Sequence, residues 1–156
     1  MGCDIHIMGE KRDGDGWRNC YSTAIDEIEQ RSYNIFGFLA NVRNYSDVEP
    51  ISQPRGFPED ASYGVKEEFV NRWGGDGHTP SWLTVDELLA FDYDKMTEDR
   101  RCTKQIAPNI WTGGDTCEPG DGRALTYREF LGEQFYGRIE QLKRDGVERI
   151  VFWFDN

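Results

Sequence analysis

The chain has two histidines, and each follows an aspartate by two residues, in Asp4-Ile5-His6 and Asp76-Gly77-His78. Aspartate and histidine together do two kinds of chemistry: they ligate metal ions, and they move protons near neutral pH. On a β-strand, residues i and i+2 share a face, so Asp4 and His6 can converge on one metal ion or one substrate atom. A divalent metal needs about three protein ligands. Asp4, His6 and His78 would supply them, with Glu10 or Asp76 as a fourth. Such a centre would activate water for hydrolysis, with Glu10 or Asp76 as base. The structural alternative is that Asp4 pairs with an arginine and His6 bonds a backbone carbonyl. Cys3 has the opposite parity to His6, so "CDIH" does not read as a Cys-His pair. Cys3 with His78 as base is a further arrangement, although a thiol on a core face is usually inert.

A second set of residues fits an anion. Arg43 follows a helix end in "LANVRNY", and Arg55 lies in the stiff turn Pro54-Arg55-Gly56. A guanidinium held by such a turn loses little entropy on ordering and can present its fork to a phosphate or carboxylate. The competing reading is an ion pair with one of the many acids. Trp73, Trp82 and Trp111 border loops, where a planar base can stack or where the ring anchors the loop to the core. "GGDGH" and "GGDT" match neither GxxxxGK[ST] nor GxGxxG after a strand, and no G-x-S-x-G elbow is present.

The whole chain must position these residues. It has 156 residues, of which 37% are hydrophobic, and its formal net charge is −11. This size and composition predict a single domain, 1–156, with one core. The acidity opposes binding to a nucleic-acid polymer or an anionic membrane. It leaves a third function class open, an acidic interaction protein or DNA mimic, although the acids are interspersed with Lys and Arg and form no long run. No apolar run is long enough to span a bilayer, and no secretory leader is visible at the start. Cys3, Cys20, Cys102 and Cys117 are scattered, with no CxxC pair. The expected compartment is the cytoplasm, and the sequence leaves homo-oligomerisation open.

Residues 2–10 read as a first strand, "DGDG" at 13–16 as a tight hairpin turn, and 17–21 as its partner. Ser32 caps a helix over 33–42, and Gly37 within it points to a close packing contact. Residues 44–63 are irregular, a helix covers 65–73, and "GGDGHTPSW" (74–82) reads as a loop. Thr84 with Glu87 and Thr126 with Glu129 are capping boxes. The second opens a helix that runs to about 145 and ends at Gly146. Residues 101–107 form a short strand, 112–124 a loop, and "RIVFWF" a fully buried, central strand beside the first. The expected fold is α+β: a small sheet made by the N-terminal hairpin and the C-terminal strand, packed by three to four helices.

"MGCDIH", "SYNIFGFLANVRN", "PRGFPED", "DGHTPSWLT" with the following "ELL", and "RIVFWFDN" together resemble an uncharacterised family of small phage and prophage proteins. The resemblance spans both ends and the middle of the chain. It places Asp4, His6, Arg43, Arg55, His78 and Trp82 within recurring motifs. Family members carry His-x-His-Ser-Trp where this chain has "HTPSW", so a second loop histidine is replaced. The resemblance implies a phage accessory protein in the cytoplasm of an infected bacterium. The expectation that joins these readings is a small anionic, nucleotide-like ligand held by Asp4, His6, Arg43, Arg55, His78 and Trp82. Sequestration of a nucleotide signal used in host defence would be its purpose. Metal-assisted hydrolysis at Asp4, His6 and His78 is the alternative.

Overall fold

The computed structural model describes residues 2–101, 104–112 and 116–156. In chain order the elements are β1 (Asp4–Asp13), β2 (Gly16–Asn19), α1 (Thr23–Ile28), α2 (Tyr33–Ala40) and α3 (Tyr63–Glu67), which runs on into a π-helical turn (Glu68–Arg72). Then come β3 (His78–Thr84), α4 (Val85–Ala90), β4 (Met96–Asp99), β5 (Lys104–Ala107) and β6 (Ile110–Thr112). The chain closes with β7 (Arg123–Thr126), α5 (Tyr127–Leu131), α6 (Phe135–Arg144) and β8 (Arg149–Asp155). The main sheet has the order β2-β1-β8-β3, with every pair antiparallel; β4-β7 and β5-β6 are separate two-stranded ribbons. The architecture is α+β, as its pattern of elements predicts.

β8 is central, and its stretch Ile150–Phe154 is apolar because both of its faces are covered. Ile5, Ile7, Ile150, Phe152 and Phe154 join the large core built with α1, α2, α4, α5 and α6. Val151 and Trp153, on the opposite face, meet Ala61, Val65 and the rings of Phe57, Phe69, Trp73 and Trp82 in a second, smaller core. His6 and Met8 belong to this second face and are covered by the irregular segment and the π turn, whereas Asp4, at the start of the strand, stays about half exposed.

Local signals account for most boundaries. Gly14, at φ 58°, supplies the left-handed position of the two-residue turn between Asp13 and Gly16. The Ser32 hydroxyl accepts from Ile35 N, and both capping boxes are formed. A Cβ on Gly37 would lie 2.8 Å from Asn44 Oδ1, which is the close contact the glycine implies.

Three expectations need correction. Residues 78–82 of the glycine-rich stretch belong to strand β3 (His78–Thr84), which satisfies the backbone groups along the free edge of β8. The helix after Thr126 breaks at Gly132 (φ 99°) into α5 and α6. Helix α1, whose Ser22 hydroxyl accepts from Ala24 N, has no counterpart among the predicted elements. Cys102 and residues 113–115 of "GGDT" lie outside the described residues.

Candidate functional site

Three strands bring their polar residues to one end of the sheet. Asp4 pairs with Asp155, His6 with Trp153, and His78 with Phe154. The register of β3 against β8 shifts between His78 and Ser81, where Thr79 has φ 51°. That extra residue reverses the parity of everything before it. His78 therefore lies level with Phe154 on the large-core side, with ring centroids 6.1 Å apart, whereas His6 lies on the small-core side.

The metal set Asp4, His6 and His78 is not assembled. The two histidines occupy opposite faces. The Asp4 carboxylate is gripped by both ends of the Arg31 fork, at 2.8 and 2.9 Å, and this bond holds its pKa below the usual value. His6 stacks on Trp73 with centroids 3.9 Å apart, and its Nε2 lies 3.4 Å from Asp155 Oδ2. Among the described residues, no group of three His, Cys, Asp or Glu side chains is placed to hold a metal ion. Asp76 is exposed, in the turn after Trp73.

Arg43 sits in a loop built to present it. The loop leaves α2 through Asn41 at φ 58° and contains Arg43 at φ 49° and Asp47 at φ 52°. Each of these left-handed non-glycine positions costs about 1–3 kcal/mol unless its surroundings enforce it. Asn44 does the enforcing: its Oδ1 accepts from Val48 N at 3.1 Å, and its Nδ2 donates to Val48 O and Asn41 Oδ1, each at 2.8 Å. Arg43 Nη1 donates to the Tyr45 hydroxyl at 3.1 Å, and its guanidinium lies 5.9 Å from the Tyr33 ring centre. Arg101 adds a second guanidinium, 5.6 Å from Tyr33 and 4.9 Å from Tyr45. Neither arginine has a carboxylate partner among the described residues. Cys3 N donates to the Tyr33 hydroxyl, which ties this cluster to the start of β1. Burial holds the Cys3 thiol above its usual pKa in spite of the adjacent Arg43, so the thiol is a core group, as its parity predicts.

Arg55 and Trp82 lie elsewhere. Trp82 pairs with Val151, four residues along β8 from Asp155, a separation of about 13 Å at the rise of a strand. The Arg55 fork is taken by Glu87, at 2.6 and 2.8 Å. Burial raises the Glu87 pKa, but the bonds from Arg55 and from Thr84 N outweigh it and the net shift is downward. Arg55 also lies 4.6 Å over the Trp82 ring and opens an alternating row, Arg55, Trp82, Arg149, Trp17, Arg12, with the later steps at 5.6, 4.0 and 4.1 Å. The row crosses the small-core face of the sheet. At its centre Arg149 is ion-paired with Glu10, so Glu10 is structural rather than a base.

The sequence reading missed Tyr33, Tyr45, Arg101, Thr79 and Asn156. His78 Nδ1 lies 2.9 Å from Thr79 Oγ1, and its Nε2 lies 2.5 Å from Asn156 Oδ1. No local signal marks Arg101 or Asn156; they reach the site through strand pairing and loop packing. No family model, no curated protein and no solved structure matches the chain.

Proposed function

We propose that the protein binds a small anionic ligand carrying a planar ring, of nucleotide type, at the Arg43–Arg101 cluster. The observation that carries this reading is the pair of guanidiniums on one aromatic ring, Tyr33. With 29 acidic residues against 18 basic ones, an arginine in this chain readily meets a carboxylate, yet these two guanidiniums meet tyrosine rings and, among the described residues, no carboxylate; Arg101 reaches Asp99 only through its backbone N–H. Guanidinium forks suit phosphate oxygens. Tyr45, two-fifths exposed, offers a ring face on which a base can stack. Asp4 and His6 are engaged away from the cluster, by Arg31 and by Trp73 with Asp155. The Arg55 and Trp82 part of the expected pocket is withdrawn, because Glu87 and the Trp–Arg row use it.

In the phage setting that the motif resemblance implies, such binding would withdraw a nucleotide signal from a host defence system. The test is calorimetry and thermal shift with mono-, di- and cyclic nucleotides, beside inorganic phosphate. Binding of a nucleotide, with phosphate alone binding weakly, supports the reading. Absence of heat and of any melting shift across the panel at low salt contradicts it. Metal-assisted hydrolysis gains no support from the geometry, since its three ligands are separated.

A further inference from the structure

His78 has a polar partner at each ring nitrogen, Thr79 Oγ1 at Nδ1 and Asn156 Oδ1 at Nε2. Asn156 Oδ1 is an acceptor, so it pairs with the tautomer of His78 that carries its proton on Nε2. In the neutral ring, Nδ1 then holds a lone pair, and the 2.9 Å contact makes it the acceptor of the Thr79 hydroxyl proton. The result is a hydroxyl, an imidazole and an amide oxygen in series, the order in which a general base activates an oxygen nucleophile and a third group orients the base.

Thr79 is also held in a backbone conformation that its type disfavours. It is β-branched, it precedes Pro80, and its φ is 51°. Branching and a following proline each oppose the left-handed region. The bulge that imposes this conformation is what brings Oγ1 onto its own neighbour's ring. Thr79 and His78 are only half-buried, so a substrate can reach the hydroxyl. None of these atoms is used by the arginine cluster.

We infer that Thr79, His78 and Asn156 form an acyl-transfer centre in which Thr79 is the nucleophile, His78 the general base and Asn156 the positioning residue. Thr79 Oγ1 bonds to the carbonyl carbon of an ester while its proton passes to His78 Nδ1. The ester C–O bond then breaks, and the leaving alkoxide or phenoxide departs with that proton, or as the free anion while His78 releases the proton to solvent. Water, deprotonated by His78, later cleaves the acyl-threonine and restores the hydroxyl. The substrate class is a small activated ester.

The test uses p-nitrophenyl acetate with the whole protein. The expected result is p-nitrophenolate release with the acetyl group located on Thr79 by peptide mass spectrometry. His78→Ala is expected to lower the rate about a hundredfold, the scale of one general base. Thr79→Ala should abolish acetylation at that position, and Thr79→Ser should retain it. Asn156→Ala should displace the pH profile rather than remove activity. Acetyl groups found on lysines alone, or on no residue of the native protein, overturn the inference whether or not the variants fold. Equal rates for native protein and a folded His78→Ala variant also overturn it. Nucleotide binding is read separately, so failure here leaves the arginine cluster untouched.

Discussion

Glu10 and Arg149 stand directly opposite each other on β1 and β8, and their side chains meet at 2.6 Å with 0% and 2% of each residue exposed. Glu10 Oε2 also accepts from Ser62 N at 2.6 Å, and Arg149 Nη1 donates to Asp60 Oδ1 at 2.9 Å. The irregular segment that roofs the second face is therefore fastened to the two central strands by charge. A buried pair of this kind makes a small net contribution, but removing one partner strands the other charge.

Glu10→Ala is accordingly expected to destabilise the fold by about 3–5 kcal/mol, read from urea unfolding. Glu10→Gln, which keeps an acceptor for Ser62 N, should cost less. A loss below about 1 kcal/mol for the alanine variant would show that Asp60 alone compensates Arg149.

Asp60 supplies a pH signature. Its hydrogen bond from Arg149 holds its pKa below the ordinary 3.8. A carboxyl with a depressed folded-state pKa contributes stability above its unfolded value and loses it as pH falls through the folded value. The stability gap between native protein and Asp60→Asn should thus be present at neutral pH and close below pH 3.8. A gap that does not change with pH would remove Asp60 from the linkage.

Gly37 separates helix propensity from packing. Alanine in a helix is favoured over glycine by about 1 kcal/mol, but here its Cβ would press on Asn44 Oδ1 at 2.8 Å. Overpacking of this kind costs about 1–3 kcal/mol, so Gly37→Ala is expected to lower the urea midpoint. It should also weaken ligand binding, because Asn44 holds the loop that presents Arg43. A more stable variant with unchanged binding would show that Asn44 can move aside freely.

The parts of this fold visible in the sequence are those set by short-range chemistry. The Gly14 turn, the Ser32, Thr84 and Thr126 caps and the apolar run of β8 each follow from a few adjacent residues. Strand β3 was hidden because Gly74, Gly75, Gly77 and Pro80 signal a loop, and only pairing with β8, some 70 residues later, makes His78–Thr84 a strand. The same bulge keeps His78 off the face that carries His6. The Asp-x-His spacing is identical in both places, but one extra residue at Thr79 sends His78 to the other face. Arg43 stood out as a candidate anion ligand from its position after a helix end, and the structure places it beside Tyr33 and Tyr45. Its companion Arg101 did not, since nothing local connects residue 101 to Tyr33. Arg55 looked equally suitable, and Glu87 satisfies it instead.

The most direct measurement is calorimetric titration of the tightest-binding nucleotide into native protein, Arg43→Gln and Arg101→Gln at low and high salt. Each lost guanidinium–phosphate bond should cost about 1.5–3 kcal/mol, or roughly ten- to a hundredfold in Kd, and the salt dependence should flatten in both variants. Unchanged affinity in folded Arg43→Gln and Arg101→Gln would contradict an anion site at Tyr33.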